Sequence, residues 1–182
     1  MALAAHHPTE VDHVRGDPGA PVVLLEYGDY QCPYCAAAAP VLRRLVDTSD
    51  GAVRLVFRNF PLVELHPYAL TAALAVEAAA AQGAFWDMHE LVFGRQDRLT
   101  DAHLAAYAEQ LGLDGDLVVG DPAQRHADKI EEDYLSGQEL GVEGTPWLFV
   151  NGRHYTGRMN LTELRRVVNG STRRRLAPWP RR

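Results

Sequence analysis

The sequence predicts an α/β fold with a long helical insertion, and three observations carry this. An apolar run, residues 22–25, leads through a short turn into a helical stretch and then into an alternating segment, residues 53–58. That order is a βαβ unit, whose two strands are parallel. Residues 66–141 read as almost all helix. The chain then returns to a strand, the hairpin signal Asn151-Gly152 and a last helix. A length of 182 residues, 47% of them hydrophobic, suits one domain with an elaboration.

Residues 1–9 read as a flexible arm, and residues 11–14 alternate weakly as a short strand before the turn Gly16-Asp17-Pro18-Gly19. Residues 22–27 are the central strand. A helix follows from Pro33 to about Asp47, with a kink expected at Pro40, which has no N–H for the Ala36 carbonyl. The run Ala36 to Ala39 keeps one helix face slim. In the insertion, residues 67–82 are apolar nearly all round and read as a buried helix. Residues 85–93 form the next, Thr100 and Asp101 cap a third to Leu111, residues 113–119 are short, and residues 122–140 are amphipathic. Residues 148–150 return as a buried strand with an antiparallel partner through Tyr155. Asn160 caps the last helix, residues 161–168, with Glu163 in capping-box position, and Gly170 is expected to stop it. Residues 171–182 form a basic, proline-containing tail.

The chemistry gathers in Cys32-Pro33-Tyr34-Cys35, which holds the only two cysteines. A thiolate is the reactive form of cysteine, and a helix N-terminus stabilises it with unpaired N–H groups and partial positive charge. Cys32 stands at that N-terminus; Cys35 lies about one turn on, within reach of the first sulfur. Pro33 suits an early helical position. Cys32 therefore reads as the attacking nucleophile and Cys35 as the resolving thiol. Half of a zinc site and a structural disulfide are the other readings. A zinc site needs two more ligands at suitable spacing, and a four-residue loop removes little unfolded-state entropy. No histidine follows Cys35 as haem attachment requires, and His89-Glu90 fails as a zinc-protease motif because its fifth position is Phe93. The scattered histidines His66, His89, His103, His126 and His154 show no ligand spacing and read as structural or surface residues. No metal and no organic cofactor is expected.

Glu26 is a carboxylate on an otherwise apolar strand, six residues before Cys32. It is either a proton acceptor or relay for Cys35, its pKa raised by burial, or a solvated strand end. A net charge of −6 argues against nucleic acid as a partner. No apolar stretch is long enough to span a membrane, and the N-terminus lacks the basic and apolar regions of a signal peptide. The expected location is the cytoplasm, or outside it if a leader has been removed.

A βαβ unit with CxxC at its first helix, the late Gly144-Thr145-Pro146, a hairpin and a last helix together resemble the thioredoxin fold. The separation between the cysteines and Thr145-Pro146 leaves room for a helical insertion at about residues 63–141, so the match over residues 10–170 resembles the DsbA-type thiol–disulfide oxidoreductases. That resemblance implies several roles. Cys32 is the exposed nucleophile and Cys35 the buried resolver. Pro146 is a cis-proline beside the sulfurs that blocks metal capture and presents the Thr145 backbone to a polypeptide. Glu26 matches the family's buried acid. Pro33, Tyr34 and Thr145 fall on the substrate side, and Trp147 lines the substrate groove or packs in the core. The substrates are polypeptides or small thiols and disulfides, with a separate redox partner for recycling. Tyr34 departs from the strongly oxidising members, which carry histidine there, and implies a less oxidising pair. Two other functions fit such a domain: a non-catalytic module of the kind appended to sodium/proton antiporters, and glutathione-linked chemistry on small molecules, whose enzymes typically lack the second cysteine.

Overall fold

A computed structural model describes residue 9 and residues 12–173, so most of the expected arm and basic tail falls outside the described residues. Five strands form one mixed sheet in the order β1-β3-β2-β4-β5. β2 (Val22–Gly28) lies at its centre and is buried along all seven residues, as an apolar run covered on both faces must be. It pairs in parallel with β3 (Val53–Asn59) and antiparallel with β4 (Trp147–Val150). β1 (His13–Gly16) closes one edge against β3, and β5 (Arg153–His154) the other against β4.

Alternation splits the sheet's side chains between two cores. Val22, Leu24, Val53, Leu55, Leu148 and Val150 pack under α1 (Pro33–Asp47) and α7 (Leu161–Arg173). Val23, Leu25, Tyr27, Val56 and Phe149 face the other way, toward Phe60 and Val142. The insertion supplies a third core through α2 (Ala69–Ala80), α3 (Phe85–Phe93), α4 (Asp101–Gln110), α5 (Gly120–Gln124) and α6 (Ala127–Glu139). Tyr30, Cys32, Cys35 and Phe57 belong to that third core, so the redox turn is packed against the insertion.

Several boundaries differ from the sequence expectation. α1 keeps its expected bounds, with the exposed Pro40 inside it. α2 begins at Ala69, because Pro67 and Tyr68 sit in a turn. The expected helix over residues 122–140 is divided at Arg125 and His126. Thr100 occupies the N-cap position of α4 but directs its hydroxyl to His103 Nδ1 (2.8 Å). Asn160 caps α7 through the Glu163 N–H (3.0 Å), and that helix continues past Gly170 to Arg173. Asn151 and Gly152 both have positive φ, as the tight hairpin requires, and β5 ends at His154 while the Tyr155 N–H still bonds Leu148 O (2.8 Å).

Buried polar groups dock the insertion beneath the sheet. Asn59 bonds Glu77 of α2 (2.6 Å) and Asp133 of α6, and Glu77 also meets His13 (2.8 Å). Arg58 pairs with Asp12 (2.9 Å). All of these groups except the partly exposed His13 are nearly excluded from water, and the pairing offsets the desolvation that would otherwise oppose folding.

Candidate active site

β2 ends at Gly28, where the Phe57 ring leaves no room for a side chain. Residues 29–32 then turn the chain into α1. Cys32 is the N-cap residue, extended at φ −73°, and Pro33 opens the helix. The N–H groups of Cys35 (3.1 Å) and Ala36 (3.2 Å) bond the Cys32 carbonyl and start the helical ladder. No acidic residue stands in the first turn of α1, so the helix start itself sets no like charge against a thiolate at Cys32.

The Thr145–Pro146 peptide is cis, and the Thr145 carbonyl oxygen lies 3.4 Å from Cys32 Sγ as its acceptor. Cys32 is only 3% exposed, which corrects the expectation of an exposed nucleophile. The Thr145-Pro146 loop on one side and the insertion core on the other cover it. Tyr34, two residues on, is 74% exposed and marks the open rim; Pro33 is exposed beside it.

The two thiols are driven apart. Cys32 is held down at about 5, chiefly by a hydrogen bond from the Cys35 thiol, against the opposing effect of burial, with help from the Thr145 side chain and the N–H groups of Cys35 and Tyr34. The Thr145 hydroxyl has no fixed partner and is free to turn its proton toward a thiolate. Cys35 is fully buried, and burial pushes it well above the ordinary thiol value. Its bond to Cys32 and the Glu26 charge add to the rise, and the Asp29 N–H, 3.5 Å from Cys35 Sγ, partly offsets it.

Glu26 is fully buried, not a solvated strand end. Among the described residues neither carboxyl oxygen has a hydrogen-bond partner, and burial first, then the Cys32 charge, raises it to about 8. In the strand pairing it faces Phe57 and Leu148, on the α1 side of the sheet. Trp147 pairs with Tyr27 on the opposite face and stacks on His154 with ring centroids 3.9 Å apart. The structure therefore gathers Cys32, Cys35, Glu26, Thr145 and Pro146, and turns the Trp147 side chain away from Glu26.

Several residues of the site carried no readable sequence signal. The Gln96 side chain donates to the carbonyls of Tyr30 (2.9 Å) and Cys32 (2.8 Å), so the loop after α3 holds the redox turn. Tyr30 OH meets His89 Nδ1 (3.0 Å), and burial first, then the charges of Arg15 and His13, pushes His89 down to about 3, leaving it neutral. The buried Asp29 carboxylate meets His66 Nδ1 at 2.8 Å, so His66 belongs to the site's support rather than to the open surface. The Asp-Tyr-Gln stretch is legible as a turn, but its partners lie 33 to 66 residues away and share no spacing rule. Among the described residues no group of three or more His, Cys, Asp or Glu side chains is placed to hold a metal. No helix there is long and apolar enough to cross a membrane.

This geometry has relatives. The thioredoxin family model matches residues 8–170. A Na(+)/H(+) antiporter NhaA 3 of Salinispora tropica is 47% identical over 158 residues, which is 86% of this chain and 24% of that protein. A Na(+)/H(+) antiporter NhaA of Herminiimonas arsenicoxydans is 37% identical over 174 residues, or 95% of this chain and 28% of the relative. The chain thus spans about a quarter of the length of these relatives. Among solved structures, a thioredoxin-like oxidoreductase from Silicibacter pomeroyi superposes with a TM-score of 0.77 at 28% identity, covering 91% of this chain and 94% of the other. BdbD from Bacillus subtilis gives 0.78 at 24% identity over 89% and 93%. The catalytic domain of Proteus mirabilis ScsC gives 0.81 at 20% identity over 95% and 98%. The chain belongs to the thioredoxin family and has the fold of its DsbA-type members, with the dithiol at the start of α1 and the helical insertion beside it.

Proposed function

We propose that the chain is a thiol–disulfide oxidoreductase that exchanges disulfides with polypeptide substrates. The observation that carries this is the opposed tuning of two thiols on one helical turn beside Thr145-Pro146. At neutral pH Cys32 is the thiolate and attacks one sulfur of a substrate disulfide. A Cys32–substrate bond forms, and the other substrate sulfur leaves with the electron pair. Cys35 then gives up its proton and attacks Cys32 Sγ. The Cys32–Cys35 disulfide closes, the second substrate thiolate leaves, and two electrons have passed from dithiol to substrate. The reverse sequence oxidises a substrate. Forming the mixed disulfide removes the Cys32 charge that helps keep Glu26 protonated, so Glu26, once ionised, serves as proton acceptor for Cys35 in the first direction and as donor in the second. Pro33, Tyr34 and Thr145 rim the approach to Cys32, and a separate thiol or disulfide partner recycles the pair.

The direction of work follows the potential. In a glutathione-buffered cytoplasm a pair poised above about −220 to −260 mV is kept reduced and acts as reductase or isomerase; outside the cytoplasm the same pair acts as oxidant. A cytoplasmic location would go with reductase work, and a location outside it with oxidant work. Cys32→Ser is expected to abolish dithiol-driven reduction of insulin, and Cys35→Ser to accumulate covalent adducts through Cys32. Full activity in Cys32→Ser would end this reading.

The antiporter names of the relatives favour a second reading, in which the domain is a redox-linked module of such a transporter. Measuring Na(+)/H(+) exchange by the transporter with the dithiol reduced and then oxidised tests it. Equal transport in both states would remove it.

A further inference from the structure

We propose that Asp29 is a positioning residue for the dithiol: its carboxylate, held by His66 and two backbone N–H groups, fixes the turn that aims the Asp29 N–H at Cys35 and delivers Cys32 to the helix start. This rests on the oxidoreductase reading and adds a residue to it.

The Asp29 side chain is fully withdrawn from water, where a lone carboxylate would be costly. It is not alone. One oxygen accepts the Gln31 N–H (2.7 Å); the other accepts the Leu62 N–H (2.9 Å) and lies 2.8 Å from His66 Nδ1. The Asp29 backbone holds both cysteines. Its carbonyl accepts the Cys32 N–H (3.1 Å), and its N–H points at Cys35 Sγ (3.5 Å). One residue therefore joins three pieces of chain: the redox turn, the start of α1 and the loop that follows β3. A second latch runs parallel to it, since the Tyr68 N–H donates to Gln31 Oε1 (2.7 Å). The loop so pinned carries Val63 and Leu65, which are 53% and 72% exposed. An apolar surface is thus held at a set distance from the thiols.

A charge and a clamp predict opposite outcomes. A carboxylate acting only as a nearby negative charge disfavours a thiolate, so its removal would make Cys32 easier to ionise. A carboxylate acting as a clamp favours the thiolate through geometry, so its removal makes Cys32 harder to ionise. Asparagine separates the two. Its oxygen accepts either the Gln31 N–H, with the NH2 donating to His66 in the other tautomer, or the Leu62 N–H and His66, so that all but one of the clamp's contacts are kept without the charge.

The test uses the full chain as wild type, Asp29→Ala and Asp29→Asn. Thiolate absorbance is titrated in the reduced proteins, and the dithiol–disulfide equilibrium is measured against glutathione. In Asp29→Ala the Cys32 midpoint is expected to rise by about one unit, with about a tenfold shift of the equilibrium toward the disulfide. Asp29→Asn is expected to stay within about threefold of wild type. If Asp29→Ala fails to fold, Asp29→Ser is read in the same way, because its shorter acceptor cannot span Gln31, Leu62 and His66 together. An unchanged midpoint in the alanine or serine variant overturns the proposal, as does a fall in both the alanine and asparagine variants. A wild type that does not exchange with glutathione at all would instead remove the oxidoreductase reading.

Discussion

Cys32 and Cys35, one turn apart on α1, are pushed to opposite sides of the ordinary thiol value: Cys32 down to about 5, Cys35 well above it. The bond between them is the largest cause of the first shift and reinforces the second, after burial. The pair polarises itself, and the environment decides which sulfur receives the charge. Cys32 has the helix start and Thr145 for company; Cys35 has Glu26 and the insertion core.

Alkylation of the reduced protein by iodoacetamide should therefore follow a midpoint near 5. Cys35→Ala should raise that midpoint by about one unit or more, since it removes the leading cause. Cys35→Ser should raise it less, because its hydroxyl still donates. A Cys32 that ionises only above pH 8 would contradict this account.

The reduction potential should lie between the values of about −120 mV for DsbA and about −270 mV for thioredoxin. Tyr34 is the reason, since its phenol brings no positive charge to the rim. Tyr34→His should make the pair more oxidising by about 30 mV, which is about tenfold in the glutathione equilibrium. No change on that substitution would show that the exposed residue between the cysteines does not tune this pair.

Glu26 gives a pH signature with a definite sign. Its folded pKa, about 8, stands above the ordinary 4.5, so the folded state holds a proton that the unfolded chain has lost. Its contribution is fully present below pH 4.5 and is lost as pH rises toward 8. Glu26→Gln should thus gain stability relative to wild type between those limits, by a few kcal/mol in urea melts of the reduced protein. It should also slow the step in which Cys35 loses its proton. A stability difference independent of pH would rule out the unpartnered buried acid.

Gly28→Ala should destabilise the fold by about 2 kcal/mol or more, because its new Cβ meets the Phe57 ring at 2.4 Å. Phe57→Leu should recover part of that loss when the two are combined. Urea midpoints of the single and double variants measure it. Additive losses would mean that the two residues are not in steric conflict.

Much of this was readable in advance because it is local. The apolar run of β2, the Cys-Pro-Tyr-Cys spacing, the Asn151-Gly152 turn and the Asn160 cap each depend on neighbours within a few residues. The boundaries that differed lie where local rules compete. Gly170 does not end α7, since one glycine costs a helix only about 1 kcal/mol.

The sequence by itself determined the local frame: two cysteines one helical turn apart at the end of a central strand, and, through the family resemblance, a late Thr-Pro expected beside them. Tertiary structure decided everything that depends on which side of the sheet a residue faces and how much water reaches it. Glu26 became an unpartnered buried acid, Trp147 turned to the opposite face from it, and Cys32 was covered to 3% exposure. Asp29, His66 and Gln96 became a clamp around the thiols. Desolvation and long-range hydrogen bonds set these properties, and both arise only when distant segments pack together.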